Sequence, residues 1–344
     1  ILMATNFPAF QNAEMTRPGA INNNSSAPYE LTLTQFSGEI LASYDRALVL
    51  SKIVKHRTIS GGKSMQFPLT GRAKAHYHTA GTHVNLDGIK SAQRIITVPG
   101  VITAATMIDD FEQAIMHFDT RQEFARQLGL ALAYLKELHV GMVLAQTSHA
   151  TKVIDDDDQV DGRYITNDKF KLASGTGSAT KVELAAALCE AIYMANVAMD
   201  EANVEEDGRT CVLRSGEYYS LIEGINGVAG YAVNREYGGQ GSFAEGTLPK
   251  IGGVQLLKSN CVPGKNYAQD SDNFKHYYGD FSKLIGMVFL PEAMGCVDLM
   301  DVVVKHDDKI EYLGELVLAK HSYGLGALRP ECCVAFELDT LTNA

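Results

Sequence analysis

Four groups of residues in this 344-residue chain have types and spacings that could do chemistry. His76, His78 and His83 lie close together, and alternate residues on a strand share a face, so two imidazoles could meet one metal ion. No cysteine is near them in sequence and no acidic second shell is evident, so solvated loop histidines are the simpler reading. Gly62, Lys63 and Ser64 copy the end of a phosphate-binding loop. That motif needs a glycine five residues before Gly62, where Arg57 stands, and the MQFPL that follows reads as strand. Asp157, Gln159, Asp161, Gly162 and Asp168 occupy positions one, three, five, six and twelve of a calcium loop, but Gln at three and Asp at twelve weaken the ligand set. A solvated acidic loop is the expectation there. Cys332 or Cys333 as a nucleophile would need a basic partner, and sequence alone does not bring His321 to either. Arg329-Pro330-Glu331 reads as a turn anchored by an ion pair. With no G-x-S-x-G, H-E-x-x-H, C-x-x-C or G-x-G-x-x-G, the residues give scaffold and no reaction centre, cofactor site or metal site.

The elements that would position such groups are clearer. Residues 109–150 contain one long helix from Thr120, with Asp119 as N-cap and Gln122 completing a capping-box variant. Phe124, Leu128, Ala131, Leu135, Leu138, Met142 and Ala145 recur at spacings of four and three, which places them on one face. Nearly thirty residues at about 1.5 Å each give a rod of roughly 40 Å. Gly129 and Gly141 cost helix propensity, so both are expected where another element comes close.

Thr180-Lys-Val-Glu183 is a full capping box opening a second helix with Val182, Leu184, Leu188, Ile192 and Met199 as its apolar positions. RTCVLRS, VQLLKS and LIGMVFL read as strands, Ser215 caps a short helix, and apolar strands close the chain. This is an α+β pattern. Residues 1–30 read as an arm, and Phe36, Ile40, Tyr44, Leu48 and Leu50 predict an amphipathic helix within 33–54.

Between Arg57 and Met107 two β-forming ends flank a tip of Gly, His, Thr, Asn and Asp. A lone two-stranded hairpin is marginal in water, because each strand has one partner and one face stays uncovered. It should therefore be stabilised by lying on another subunit, with Phe67 contributing to assembly more than to folding.

Composition excludes several classes. A formal charge of -11 and a pI near 5.4 leave no electrostatic footprint for phosphate, so DNA is at most a neighbour. Six scattered cysteines read as free thiols. Apolar runs fall short of a membrane span, and ILMATNFPAF lacks the basic start of a signal peptide, so neither membrane nor export is expected.

FDTRQEFARQLGLALA, ISGGKSMQFPLTGRAKAHYHTAGTHVNLDG and AKHSYGLGALRPE are similar, in order and spacing, to segments of the major capsid proteins of T-seven-like short-tailed bacteriophages, within the Hong Kong 97-type capsid family. The resemblance covers roughly 35–335 and implies the parts of that fold: an N-terminal arm with helix over 1–56, an extended E-loop hairpin over 57–100, a P-domain with its spine helix over 101–150, an A-domain over 151–296, and return strands to the P-domain over 297–344. It implies a structural subunit of a virion, assembled in a bacterial host's cytoplasm into hexamers and pentamers around double-stranded DNA. A scaffolding protein and a portal protein are the implied partners. Arg57, Lys63, Phe67, Arg72, Lys74, Arg94 and Arg329 are the expected assembly contacts. A metal-dependent enzyme using the histidine or acidic loop, and a receptor- or carbohydrate-binding module using the hairpin tip, remain the alternatives.

Overall fold

The computed structural model describes residues 50–84, 86–109, 111, 120–154, 159–170, 180–225, 250–268 and 276–339. The arm, the Asp119 cap, residues 155–158 of the acidic loop and the 174–178 linker lie outside them. So does most of the helix expected within 33–54. Its last residues form a turn instead, in which the Ile53 amide donates to the Leu50 carbonyl at 3.1 Å. The reason is a long-range contact: the amides of Leu50 and Ser51 donate to the Glu137 carboxylate at 2.8 and 2.7 Å, where helix-interior amides would need carbonyls four residues back.

The chain divides into two compact units. The first comprises Ile1–Ala47, Gly100–Leu135 and Met300–Ser322. In its described part β4 (Ile102–Asp109) lies antiparallel to the first residues of β11 (Gly314–Ala327), in register from Ile102 opposite His321 to Asp109 opposite Gly314. Gly314 is required there, because a Cβ would stand 2.5 Å from the Ile108 carbonyl oxygen. Leu313, at φ 47, makes the left-handed step into β11.

The second unit comprises Leu48–Pro99, Lys136–Leu299 and Tyr323–Ala344. Its centre is a six-stranded mixed sheet built from β5 (Arg163–Asn167), β6 (Thr210–Leu213), β7 (Lys250–Ile251), β8 (Val254–Lys258), β9 (Leu284–Phe289) and β12 (Cys333–Leu338). The spatial order is β5-β12-β9-β6-β8-β7. β9 is antiparallel to both β12 and β6, and all six of its residues are buried, as the uninterrupted apolar run LIGMVFL predicts. β1 (Lys55–Thr58) runs parallel to the start of β10 (Met294–Lys309). β2 (Ser64–Thr70) and β3 (Ser91–Thr97) form a separate antiparallel pair.

Among the described residues three α-helices accompany these strands. α1 (Thr120–Ser148) is the long helix, with the boundary of the units between Leu135 and Lys136. Its periodicity holds only in part. Leu138, Met142 and Ala145 are buried, but so is every residue of 137–145, around the whole circumference. On the other side of the boundary Ala131 is exposed and Leu132 is the buried residue. α2 (Lys181–Glu201) opens with the expected capping box, in which the Glu183 amide donates to Thr180 Oγ1 and the Thr180 amide to the Glu183 carboxylate. Leu184, Leu188, Ile192 and Met199 are fully buried. α3 (Ser215–Ile225) lies against its first turn at Gly224, where a Cβ would stand 2.3 Å from the Lys181 carbonyl oxygen. α1 and α2 are long and apolar enough to span a bilayer by length and composition, but half or more of each span is buried inside the protein, as in core helices.

The two glycines of α1 differ. At Gly141 a Cβ would meet Pro263 Cδ at 2.9 Å and the Cys261 carbonyl oxygen at 3.0 Å, so the close approach exists. At Gly129 no atom of the described residues lies within 4 Å, and the expected neighbour is absent there.

Candidate functional site

Several of the residues with possible chemistry have other partners, and Asp157 lies outside the described residues. His76 bonds the exposed Asp87 carboxylate, an acidic partner the sequence reading did not find, while His78 and His83 are exposed. Ser64 opens β2, so no helix follows Gly62-Lys63-Ser64 to present amides to a phosphate, and the Lys63 carbonyl accepts from the Val98 amide at 2.8 Å. The Asp161 carboxylate accepts from the Lys152 amide at 2.8 Å, and Asp168 opens a single 3-10 turn instead of closing a calcium loop. Burial pushes the thiols of Cys332 and Cys296 up to about 12 and that of Cys189 up to about 11, and raises Cys211 and Cys333 further. Such thiols are poor nucleophiles.

His56, Cys296 and Asp298 bring one ligand atom each within 4.8 Å of the others. Lys136 occupies the same place: its Nζ lies 2.8 Å from Asp298 Oδ1, and His56 Nδ1 lies 2.8 Å from Oδ2. Burial opposes ionisation of Asp298, but hydrogen bonds from Lys136 and His56, and their charges, hold its carboxyl below the usual range. The arrangement is an ion pair that closes the β1–β10 ladder.

The β2–β3 hairpin carries an unfilled surface. Its register runs from Ser64 opposite Thr97 to Thr70 opposite Ser91, and the Gly71 amide extends it to the Lys90 carbonyl at 2.8 Å. Alternation sends Phe67, Leu69 and Ile96 to one face, where they are buried, and Gln66 and Pro68 to the other. Phe67, Ile96 and Val98 form a core with Val297 and Leu328. The wall they meet is made of glycines. A Cβ on Gly295 would stand 3.1 Å from Phe67, Ile96 and Leu328 alike, and one on Gly324 would stand 2.8 Å from the Thr97 carbonyl oxygen. The hairpin motif and the AKHSYGLGALRPE motif are thus two faces of one packed joint.

This joint corrects one expectation. Phe67 is 2% exposed inside its own chain, so it holds the hairpin root to the subunit and is not available to a neighbour. Arg57 covers it, with the guanidinium 4.9 Å from the ring centroid. Arg94, opposite Phe67 in the register, is half-buried. Lys63 and Lys74 are exposed. Arg329 donates to the Thr70 carbonyl at 3.4 Å, and its ion-pair partner is Glu292 at 4.0 Å. Burial raises the carboxyl of Glu331, two residues on. Arg72 donates from Nη2 to the carbonyls of Ala202 at 3.1 Å and Asn203 at 2.6 Å, at the end of α2.

Beyond Arg72 the hairpin changes character. Every described residue of 72–90 is exposed, among them Tyr77 at 104%, Leu86 at 91%, Val84 and Ile89. These apolar tip residues escaped the sequence reading, which saw a polar tip. The available signal was the presence of Tyr, Val, Leu and Ile in a loop otherwise rich in Gly, His, Thr and Asn. No pattern could have announced the glycine wall, which is assembled from β10 and β11 only in three dimensions.

Comparison with known proteins fits this geometry. Residues 66–337 match the family model described as Gp10A-like major capsid protein. The major capsid protein of Escherichia phage T7 is 29% identical, over 89% of this chain and 91% of its own length, and that of Enterobacteria phage T3 is 28% identical over 91% and 93%. Among solved structures, the capsid of Cyanophage P-SCSP1u superposes with a TM-score of 0.73 at 30% identity, covering 94% of this chain and 98% of that one. The mature capsid of bacteriophage PhiM1 has the same fold, with a TM-score of 0.69 at 19% identity. With the family model matched over 66–337, the chain belongs to the Gp10A-like family of phage major capsid proteins, which are structural and not enzymatic.

Proposed function

We propose that this chain is the repeating subunit of an icosahedral phage head, arranged in hexamers and pentamers around double-stranded DNA. The hairpin plays the part of the E-loop. The region around α1 and the β4–β11 pair plays that of the P-domain, and the six-stranded sheet with α2 and α3 that of the A-domain. The observation that carries this reading is the hairpin tip, whose Tyr77, Val84, Leu86 and Ile89 are exposed. Apolar residues presented together on an extended arm are stabilised by burial against a second copy. The net charge of -11 suits a container that must not grip its contents. Scaffolding and portal proteins are the further partners this role requires. Lys63, Lys74 and Arg94 remain candidate contacts between subunits, together with Arg57 and Arg329 at the root.

Negative-stain microscopy of the purified chain, alone and with its scaffolding protein, tests the reading. Rings, sheets or shells are expected. Replacement of 72–90 by a two-residue turn should leave a folded subunit that does not assemble, and normal shells from that variant would refute the role given to the tip.

A further inference from the structure

Three arginines from three separate segments converge on the carboxyl end of α2, a helix with no basic residue of its own in the last turn. Arg163 of β5 donates to the Ala198 carbonyl at 3.2 Å and to Glu201 at 3.0 Å. Arg209, at the entrance of β6 and only 3% exposed, donates to Asp200 at 2.6 Å and to the carbonyls of Val204 and Glu205 at 2.9 and 3.1 Å. The helix terminus, with its unpaired carbonyls and the negative end of its dipole, is thus balanced from within the sheet. Arg72 is different, because it comes from the hairpin, is exposed, and reaches the last two carbonyls: that of the C-cap Ala202 and that of Asn203, whose φ of 52 ends the helix.

Resting on the reading of the hairpin as the assembly arm, we propose that Arg72 is a positioning residue for assembly: it clamps the hairpin to the end of α2 and so fixes the direction in which the tip leaves the subunit. The lever argument is simple. Nineteen residues from 72 to 90 form two arms, each at most about 30 Å long at about 3.3 Å per residue. Over that length a rotation of about 10° at the root moves the tip by about 5 Å, far more than a packed contact tolerates. The apolar joint at Phe67 holds the root in place but resists such rotation weakly, since apolar contact has no preferred direction. A charged donor on two adjacent carbonyls does have one. Because Arg163 and Arg209 serve the helix end without it, Arg72 is dispensable for the fold and needed for the angle.

The test uses the full chain carrying His78→Cys and Glu190→Cys, both exposed positions, with spin labels on the new thiols. The six native cysteines are buried, so labelling under native conditions is selective. The distance distribution should be narrow with Arg72 present and at least about twofold broader in Arg72→Ala, while the thermal midpoint stays unchanged. Arg72→Lys should recover part of the narrowing, since it keeps charge and donors but not the planar fork. Without the labels, Arg72→Ala should slow assembly, followed by light scattering, by about tenfold. An unchanged distribution in Arg72→Ala would overturn the clamp, as would wild-type assembly rates despite broadening. Loss of folding in Arg72→Ala would overturn it too, by making the residue structural. Shells formed after replacement of 72–90 would instead sink the assembly-arm reading while leaving the label distances to judge the clamp separately.

Discussion

The root and the tip of the hairpin use similar residues to opposite ends. Phe67, Ile96 and Val98 at the root are buried against Val297, Leu328 and a wall of glycines, whereas Tyr77, Val84, Leu86 and Ile89 at the tip are exposed to water. One end therefore belongs thermodynamically to the subunit, and the other is left for a partner. Helix α1 repeats the lesson in its two glycines, with Gly141 filled against Pro263 and Cys261 and Gly129 meeting no atom of the described residues. In both elements, local sequence specifies strand or helix, and only the surroundings decide whether a position contributes to folding or to association.

The largest effect should come from breaking the root. Phe67→Glu places a carboxylate in a closed apolar core and should destabilise the isolated subunit by about 4 kcal/mol or more in denaturant unfolding. A wild-type midpoint would mean that the root is not part of the subunit core. Next is the buried end of α1. Burial lowers His139 from its ordinary 6.5 to about 4, so the folded state resists a proton that the unfolded state accepts. The associated stability is present above pH 6.5 and is lost as the pH falls towards 4, amounting to about 3 kcal/mol. His139→Gln should flatten that part of the pH profile relative to the wild type.

Gly141→Ala forces a Cβ against the Pro263 ring and should cost about 1–3 kcal/mol despite alanine's better helix propensity. Gly129→Ala meets no such obstacle among the described residues and should raise stability by about 0.5–1 kcal/mol. If the two variants moved the thermal midpoint in the same direction, the contrast between the helix ends would fail. The smallest effect on stability is expected at the tip. Leu86→Ser should change subunit unfolding by less than about 0.5 kcal/mol while slowing assembly, and equal effects on both would erase the distinction between root and tip.

Much of the architecture was legible before any coordinates. The Thr180–Glu183 capping box, the strand nature of RTCVLRS, VQLLKS and LIGMVFL, and the long helix all follow from interactions within a few residues, which the order of side chains fixes directly. The three stretches that resemble phage capsid proteins were equally readable, and they carried the family. What sequence left open was partnership. Asp298 with Lys136, Arg72 with the end of α2, Phe67 with Gly295, and Glu137 with the amides of Leu50 and Ser51 all join residues 86 or more positions apart. No periodicity reports such pairs.

The reading of Phe67 shows why this matters. A hairpin considered alone has an uncovered apolar face, so sequence reasoning assigned that face to a neighbouring subunit. Folding covered the half nearest the root with β10 and β11, whose glycines make room for it, and left the half nearest the tip bare. The sequence by itself determined the elements, the absence of reactive motifs and the resemblance to capsid proteins, because short-range hydrogen bonding and apolar periodicity are properties of neighbouring residues. Tertiary structure alone decided which apolar surface stays within the chain and which is offered outward, because burial depends on what the rest of the chain brings to each face.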